Sequence, residues 1–415
     1  MKSLCGLSYV VLTFFGAINM KRVLAFLFAV SATLWMAAPA AAWNTLNDSE
    51  EPGSVIVFHR FQVGTVIAGT SGIQPATQFE LGVTCPNGSI CADSGQIVHM
   101  KAQWVCKGVD DFNASEPHGF CDETDFELQT TVHGTLVFNA SGVQPTNVLT
   151  AAGTPAVPTP PSDCEEGYLI VWVVDKAGRP IKFDGLTGKA VVREFETEAH
   201  AYNALPIQAT ENVNTCTDTD SVGVCDTTDV NGDGNLAFDG SEYKAITGKI
   251  IGTIPYSKSG PGAVRTDLVL LTLDVHAGVV NPDTNVTFNF FNESEAVTSG
   301  NRSFACWTEF RPDEINFSLS ADNPAWGAEG LVESTSARQN GTDVTLVGIV
   351  EVRESDFDEV TIPDIPVTLC RYLPILGYTC LSDVITATES VPIVRQYSYL
   401  LNNDSQPINT TYIPH

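Results

Sequence analysis

The chain has 415 residues, with 49 Asp or Glu against 21 Lys or Arg and a formal charge of -28. Phosphate backbones repel such a chain, and no basic cluster longer than Lys21-Arg22 offsets that repulsion, which argues against nucleic acid as a partner. At 43% hydrophobic and 17% charged residues, wholesale disorder is excluded and two or three domains with real cores are expected.

Two apolar stretches open the chain, at 4–17 and 23–36, separated by Lys21-Arg22. Both fall short of the roughly 20 residues that span a bilayer. From Met20 the order is basic, then apolar, then small residues up to Ala40 and Ala42, which reads as a signal peptide cut after Ala42. Residues 1–42 are therefore assigned to a signal region starting at Met20. The mature chain is expected to be secreted, periplasmic or on the cell surface, with no membrane span. Cleavage removes Lys2, Lys21 and Arg22 but no acid, so the mature chain is more acidic still.

Beyond the signal region the strand signals follow in order. The apolar runs at 54–58, 168–174, 268–273 and 344–350 read as central strands buried on both faces. Val98, Met100, Ala102 and Trp104 alternate with polar residues, as do Val286, Phe288 and Phe290, which marks strands with one face on a core. A Pro-rich stretch at 143–161 reads as a surface excursion. The polar segment 211–242 interrupts two strand-rich regions and is taken as their junction. The expected fold is all-β: two antiparallel β-sandwich regions, loosely immunoglobulin-like, at 43–210 and 243–415, joined by an acidic, calcium-binding insert.

Ten of the eleven cysteines remain in the mature chain, an even number that reads as up to five disulfides in an exported protein. Short spacing favours Cys85 with Cys91, Cys216 with Cys225, Cys370 with Cys380 and Cys106 with Cys121. That leaves Cys164 and Cys306 as an interdomain pair or as two separate thiols. No C-x-x-C occurs, and the histidines lack zinc-type spacing.

The segments Cys164-Glu-Glu-Gly-Tyr-Leu-Ile-Val-Trp-Val-Val-Asp175, Ile181-Lys-Phe-Asp-Gly-Leu-Thr-Gly188 and Ala201-Tyr-Asn-Ala-Leu-Pro-Ile-Gln-Ala209 resemble a group of exported bacterial proteins. Phe290-Phe-Asn-Glu and Cys306-Trp-Thr-Glu-Phe-Arg311 are similar to another segment of such proteins. The resemblance implies no activity and no catalytic residue.

One motif carries chemistry. Asp229-Val-Asn231-Gly-Asp233-Gly234-Asn235-Leu236 resembles the start of an EF-hand or dockerin calcium loop. Asp229, Asn231 and Asp233 place oxygens at alternate positions, Asn235 offers its carbonyl, and Gly234 permits the turn. The twelfth position holds Gly240, so Asp239 or Glu242 beside it must close the site. The competing reading is a solvated Asx/Gly turn that binds nothing.

Other chemistry is thin. Residues 92–96 are similar to the serine segment of trypsin-like proteases but lack its flanking residues, and neither G-x-S-x-G nor H-E-x-x-H occurs. Acidic pairs such as Asp110-Asp111, Glu165-Glu166 and Asp122 with Asp125 read as solvated faces. Asn-x-Ser/Thr sequences, Asn292 and Asn316 among them, read as glycan acceptors in a eukaryotic secretory protein or as a plain Asn-rich β surface in a bacterial one. The expected function is non-catalytic: binding or adhesion to a surface or extracellular partner, or a structural role at the cell surface, with a structural Ca²⁺. The alternative is a secreted, glycosidase-like hydrolase using carboxylates from distant loops.

Overall fold

The computed structural model describes residues 50–64, 76–86, 97–107, 121–141, 157–161, 164–195, 198–210, 228–260, 262–279, 283–338, 344–361, 365–373, 377–385, 388–403 and 413–414. For 193–195, 198–199 and most of the described residues between 355 and 414 only the backbone is described. The expected signal region, Cys91, Cys216, Cys225, most of the Pro-rich excursion and the 92–96 segment lie outside the described residues.

The first half contains β1 (Val55–Gln62), β2 (Gln78–Val83), β3 (Ile97–Cys106), β4 (Glu123–Thr131), β5 (Thr135–Asn139), β6 (Glu166–Val174), β7 (Leu186–Phe195), β8 (Glu198–Asn203) and β9 (Leu205–Ile207). The second contains β10 (Lys249–Pro255), β11 (Ala263–Thr272), β12 (Thr284–Asn292), β13 (Val297–Phe304), β14 (Trp307–Phe310), β15 (Glu329–Arg338), β16 (Leu346–Thr361), β17 (Ile365–Leu373), β18 (Gly377–Ile385), β19 (Thr388–Leu400), β20 (Asn402–Asn403) and β21 (Ile413–Pro414). A 3-10 turn at Asp274–Ala277 and the four-residue helix α1 (Pro312–Ile315) are the helical pieces among the described elements. The fold is all-β, as expected.

Four antiparallel sheets form two sandwiches. In the first, the sheet β5-β2-β7-β8 covers the sheet β4-β3-β6-β1-β9; in the second, β14-β11-β16-β19-β21 covers β13-β12-β15-β10-β20. Alternation sorts the side chains as the sequence suggests: Val98, Met100, Ala102 and Trp104 are buried in the first core, and Val286, Phe288 and Phe290 in the second. Trp104 packs among Phe61, Phe79, Phe126 and Phe138. Its indole N–H donates to the Pro158 carbonyl at 3.0 Å, so the end of the Pro-rich excursion closes over this core.

The two sandwiches also share a core. On β11, Val269 and Leu271 pack with the first half, whereas Leu268 and Leu270 face the second core; on β16, Val347 and Ile349 divide from Val350 and Val352 in the same way. The sheets containing β1 and β6, and β11 and β16, are thus inner layers with a neighbour on each side. This is why the four continuous apolar runs are needed: a two-layer sandwich would leave one face of each strand in water.

The disulfides correct the local-pairing expectation. Cys106 bonds Cys164, with Cα atoms 5.6 Å apart, and Cys121 bonds Cys306, at 6.0 Å. Cys106 and Cys121 are not a pair. β3 lies between β4 and β6: Cys106 stands opposite Gly167 on one side and its N–H donates to the Asp122 carbonyl on the other, so both Cys121 and Cys164 run beside it and the bridge closes across the 58-residue separation. The second bridge ties the start of β4 to the turn before β14 and so links the halves. Cys85 is disulfide-bonded too. The β17–β18 register sets Cys370 directly opposite Cys380. Asn292 is buried and its side-chain amide oxygen Oδ1 accepts the N–H groups of Ser294 and Ala296, so it serves as a turn residue.

Candidate functional site

The acidic loop packs on the first core through Leu236, Phe238 and Tyr243. Gly232 and Gly234 have φ of 65° and 80°, the left-handed conformation that glycine adopts at least cost. The Asp229 carboxylate accepts the N–H groups of Asp233 and Gly234, each at 3.2 Å, and Asp233 accepts that of Asn235 at 2.9 Å. Asn231 is exposed. The structure separates the two candidates for the closing position. Asp239 is turned to Ser241, whose hydroxyl and N–H hold its carboxyl below the usual range. Glu242 is 1% exposed; its carboxylate accepts the Ala237 N–H at 3.0 Å and is also favoured by the Asn231 N–H. Burial, and then the charges of Asp229 and Asp233, push the Glu242 carboxyl up. Glu242 therefore shares the electrostatic environment of Asp229 and Asp233. Among the described residues no three His, Cys, Asp or Glu groups converge closely enough to hold a metal as they stand.

The same loop walls a cleft of about 520 Å³. Gly234, Asn235 and Leu236 form one side with Val275 and His276; the outer face of β3, β4 and β6 forms the other. Strand register arranges that face in rows: Glu127, Lys101 and Trp172 in one, Asp125, Gln103 and Ile170 in the next. Gln103 donates to Glu123 at 2.6 Å. Desolvation at the cleft wall, and then the neighbouring Asp125, push the Glu123 carboxyl up to about 7. His276 is bonded to the Tyr168 hydroxyl at 3.0 Å, and burial holds its ring down to about 3, so it is neutral at pH 7.

A third feature, between the sandwiches, is one that sequence reasoning missed. Phe58 faces Leu169 and Phe61 faces Gly167, so His59 and Arg60 together oppose Tyr168 in a β-bulge. Both Phe rings stay in the first core, against Phe79 and Trp104. Arg60 is thrown out to the second sandwich, where it pairs with Glu351, with Glu309 at 3.0 Å and with Glu166 of its own sheet at 3.1 Å. The Tyr202 hydroxyl clamps the bulge, accepting the Arg60 N–H at 2.9 Å and donating to its carbonyl. His200 reaches Glu351 at 3.1 Å, and Arg265 and Arg353 reach Asp267 at 2.8 and 3.4 Å.

Three guanidiniums here face four carboxylates. Burial opposes ionisation of Glu351, but Arg60, His200 and Arg353 outweigh it and hold its carboxyl well below the usual range. The excess negative charge falls on Glu309: burial first, then Glu351, Glu166 and Asp267, overcome Arg60 and push it up to about 7. A folded state with a raised carboxyl pKa binds more protons than the unfolded chain, so its stability falls as pH rises from the ordinary carboxylate range through 7. Glu309→Gln removes that slope. In urea titrations at pH 5 and pH 8, the stability of the variant relative to wild type is expected to improve at the higher pH; a constant difference contradicts the assignment.

No protein-family model matches the chain, and no curated protein matches it.

Proposed function

We propose that the mature chain is an exported, disulfide-stapled binding or adhesion protein of the cell surface or extracytoplasmic space, without catalysis, whose acidic loop holds a structural Ca²⁺ beside the ligand cleft. The observation that carries the calcium reading is the buried Glu242 carboxylate, which lies in the field of Asp229 and Asp233. A hard dication relieves such repulsion and takes oxygen ligands. Asp229, Asn231, Asp233, the Asn235 carbonyl and Glu242 would hold it, with Asp239 left to its serine. Two disulfides that join distant strands support an oxidising compartment.

Weak extracellular sites have Kd on the order of 10⁻⁴ to 10⁻³ M. At 10 mM Ca²⁺ such a site stabilises the fold by about 1.4 to 2.7 kcal/mol. Thermal melting of wild type is expected to shift upward with Ca²⁺ and back with EDTA, and the Asp229→Ala/Asp233→Ala double variant is expected not to respond. No shift in wild type, or an equal shift in the variant, would leave the loop a polar turn.

A second reading, a carboxylate-based hydrolase, is favoured by one feature. Glu123, whose carboxyl is pushed up to about 7, and Asp125 stand two residues apart on one strand face, two carboxyl groups side by side at a cleft as glycoside hydrolysis requires. Reducing-end release that disappears in Glu123→Gln would replace the non-catalytic reading.

A further inference from the structure

We infer that the cleft between the acidic loop and the outer face of β3, β4 and β6 is a glycan-binding site, with Trp172 as the platform for a pyranose ring and Lys101, Gln103, Asp125 and Glu127 reading its hydroxyls. The inference rests on the binding reading and names its ligand class. The volume of about 520 Å³ lies inside the roughly 300–1,000 Å³ of small-molecule sites.

The charge pattern decides the class. Glu123, Asp125 and Glu127 line one side, but Lys101 stands in the same row as Glu127 and Trp172 and makes no ion pair among the described residues. A cationic ligand drawn to the carboxylates meets that ammonium, and an anionic ligand drawn to the ammonium meets three carboxylates. A neutral polyhydroxylated ligand uses both, since each hydroxyl donates to a carboxylate and accepts from an ammonium or amide. Glu123 fixes the Gln103 amide, orienting it before any ligand arrives. Trp172 is half-buried, with its ring 6.4 Å from the neutral His276 ring, so an apolar surface stands directly beside the charged Lys101–Glu127 row. An aromatic face beside alternating donors and acceptors suits a sugar ring, which has apolar C–H faces and a hydroxyl rim.

The test titrates the mature protein with cello-, xylo-, chito-, malto- and mannopentaose by tryptophan fluorescence and calorimetry, with spermine and pentalysine as cationic probes. At least one oligosaccharide is expected to bind. Trp172→Ala and the exposed pair Asp125→Ala/Glu127→Ala should each weaken it tenfold or more. The exposed pair keeps the test valid if loss of Trp172 perturbs folding, and unchanged urea midpoints and Ca²⁺ response separate loss of the cleft from loss of the fold. Binding of spermine or pentalysine alone, or of no probe, overturns the inference while leaving the calcium test to stand or fall separately. Cleavage of a bound oligosaccharide keeps the ligand class and overturns the non-catalytic reading.

Discussion

Replacing Arg60 with alanine is expected to destabilise the protein by about 3–5 kcal/mol, because it leaves buried carboxylates without their shared cation. Arg60 is 3% exposed and Glu351 1%. Glu309 and Glu166 also lose a partner. Glu309 can take up a proton, whereas Glu351, held ionised by its neighbours, bears most of the cost. A double variant, Arg60→Met with Glu351→Leu, should cost less than the sum of its single replacements, since the apolar pair leaves no orphaned charge on either side. Urea unfolding measures both. Additive losses would show that the two side chains do not interact as the ion pair implies.

The second large effect is at Cys121–Cys306. The bridge closes 185 residues of chain and joins the two sandwiches. In the loop-entropy model its loss costs about 5 kcal/mol. Cys121→Ser/Cys306→Ser is therefore expected to lower the urea midpoint more than Cys106→Ser/Cys164→Ser, whose loop is 58 residues. The reverse order would mean that packing around the buried Cys306, rather than chain entropy, sets the contribution of the bridge.

Much of the fold is legible in the sequence, because period-2 patterning and continuous apolar runs are local properties. The runs at 54–58, 168–174, 268–273 and 344–350 become β1, β6, β11 and β16, all central in their sheets. Their two-sided burial also signals that the sandwiches stack face to face, although only the three-dimensional arrangement identifies which faces meet. The disulfides are not legible from spacing, since β3 lies between β4 and β6: the chain carrying Cys121 and the chain carrying Cys164 both run beside its end, and spacing does not say which of the two Cys106 bonds. The Arg60 cluster leaves one faint trace, charged residues set within or directly after apolar strands, Arg60 in β1 and Glu351 in β16. In a strand buried on both faces a charge needs a partner. The bulge that aims Arg60 depends on pairing register and has no local signature. For the acidic loop, the motif from Asp229 to Asn235 on which the calcium proposal rests is legible. The choice of Glu242 over Asp239 is not, because it depends on which carboxylate the packing of Phe238 and Tyr243 carries inward.

The most direct test of the calcium loop is a crystal structure of the mature protein grown in 10 mM CaCl₂. One strong peak is expected among Asp229, Asn231, Asp233, the Asn235 carbonyl and the inner oxygen of Glu242, with ligand distances of about 2.3–2.6 Å. A water at the Glu242 oxygen, with no cation in the loop at that concentration, would contradict it.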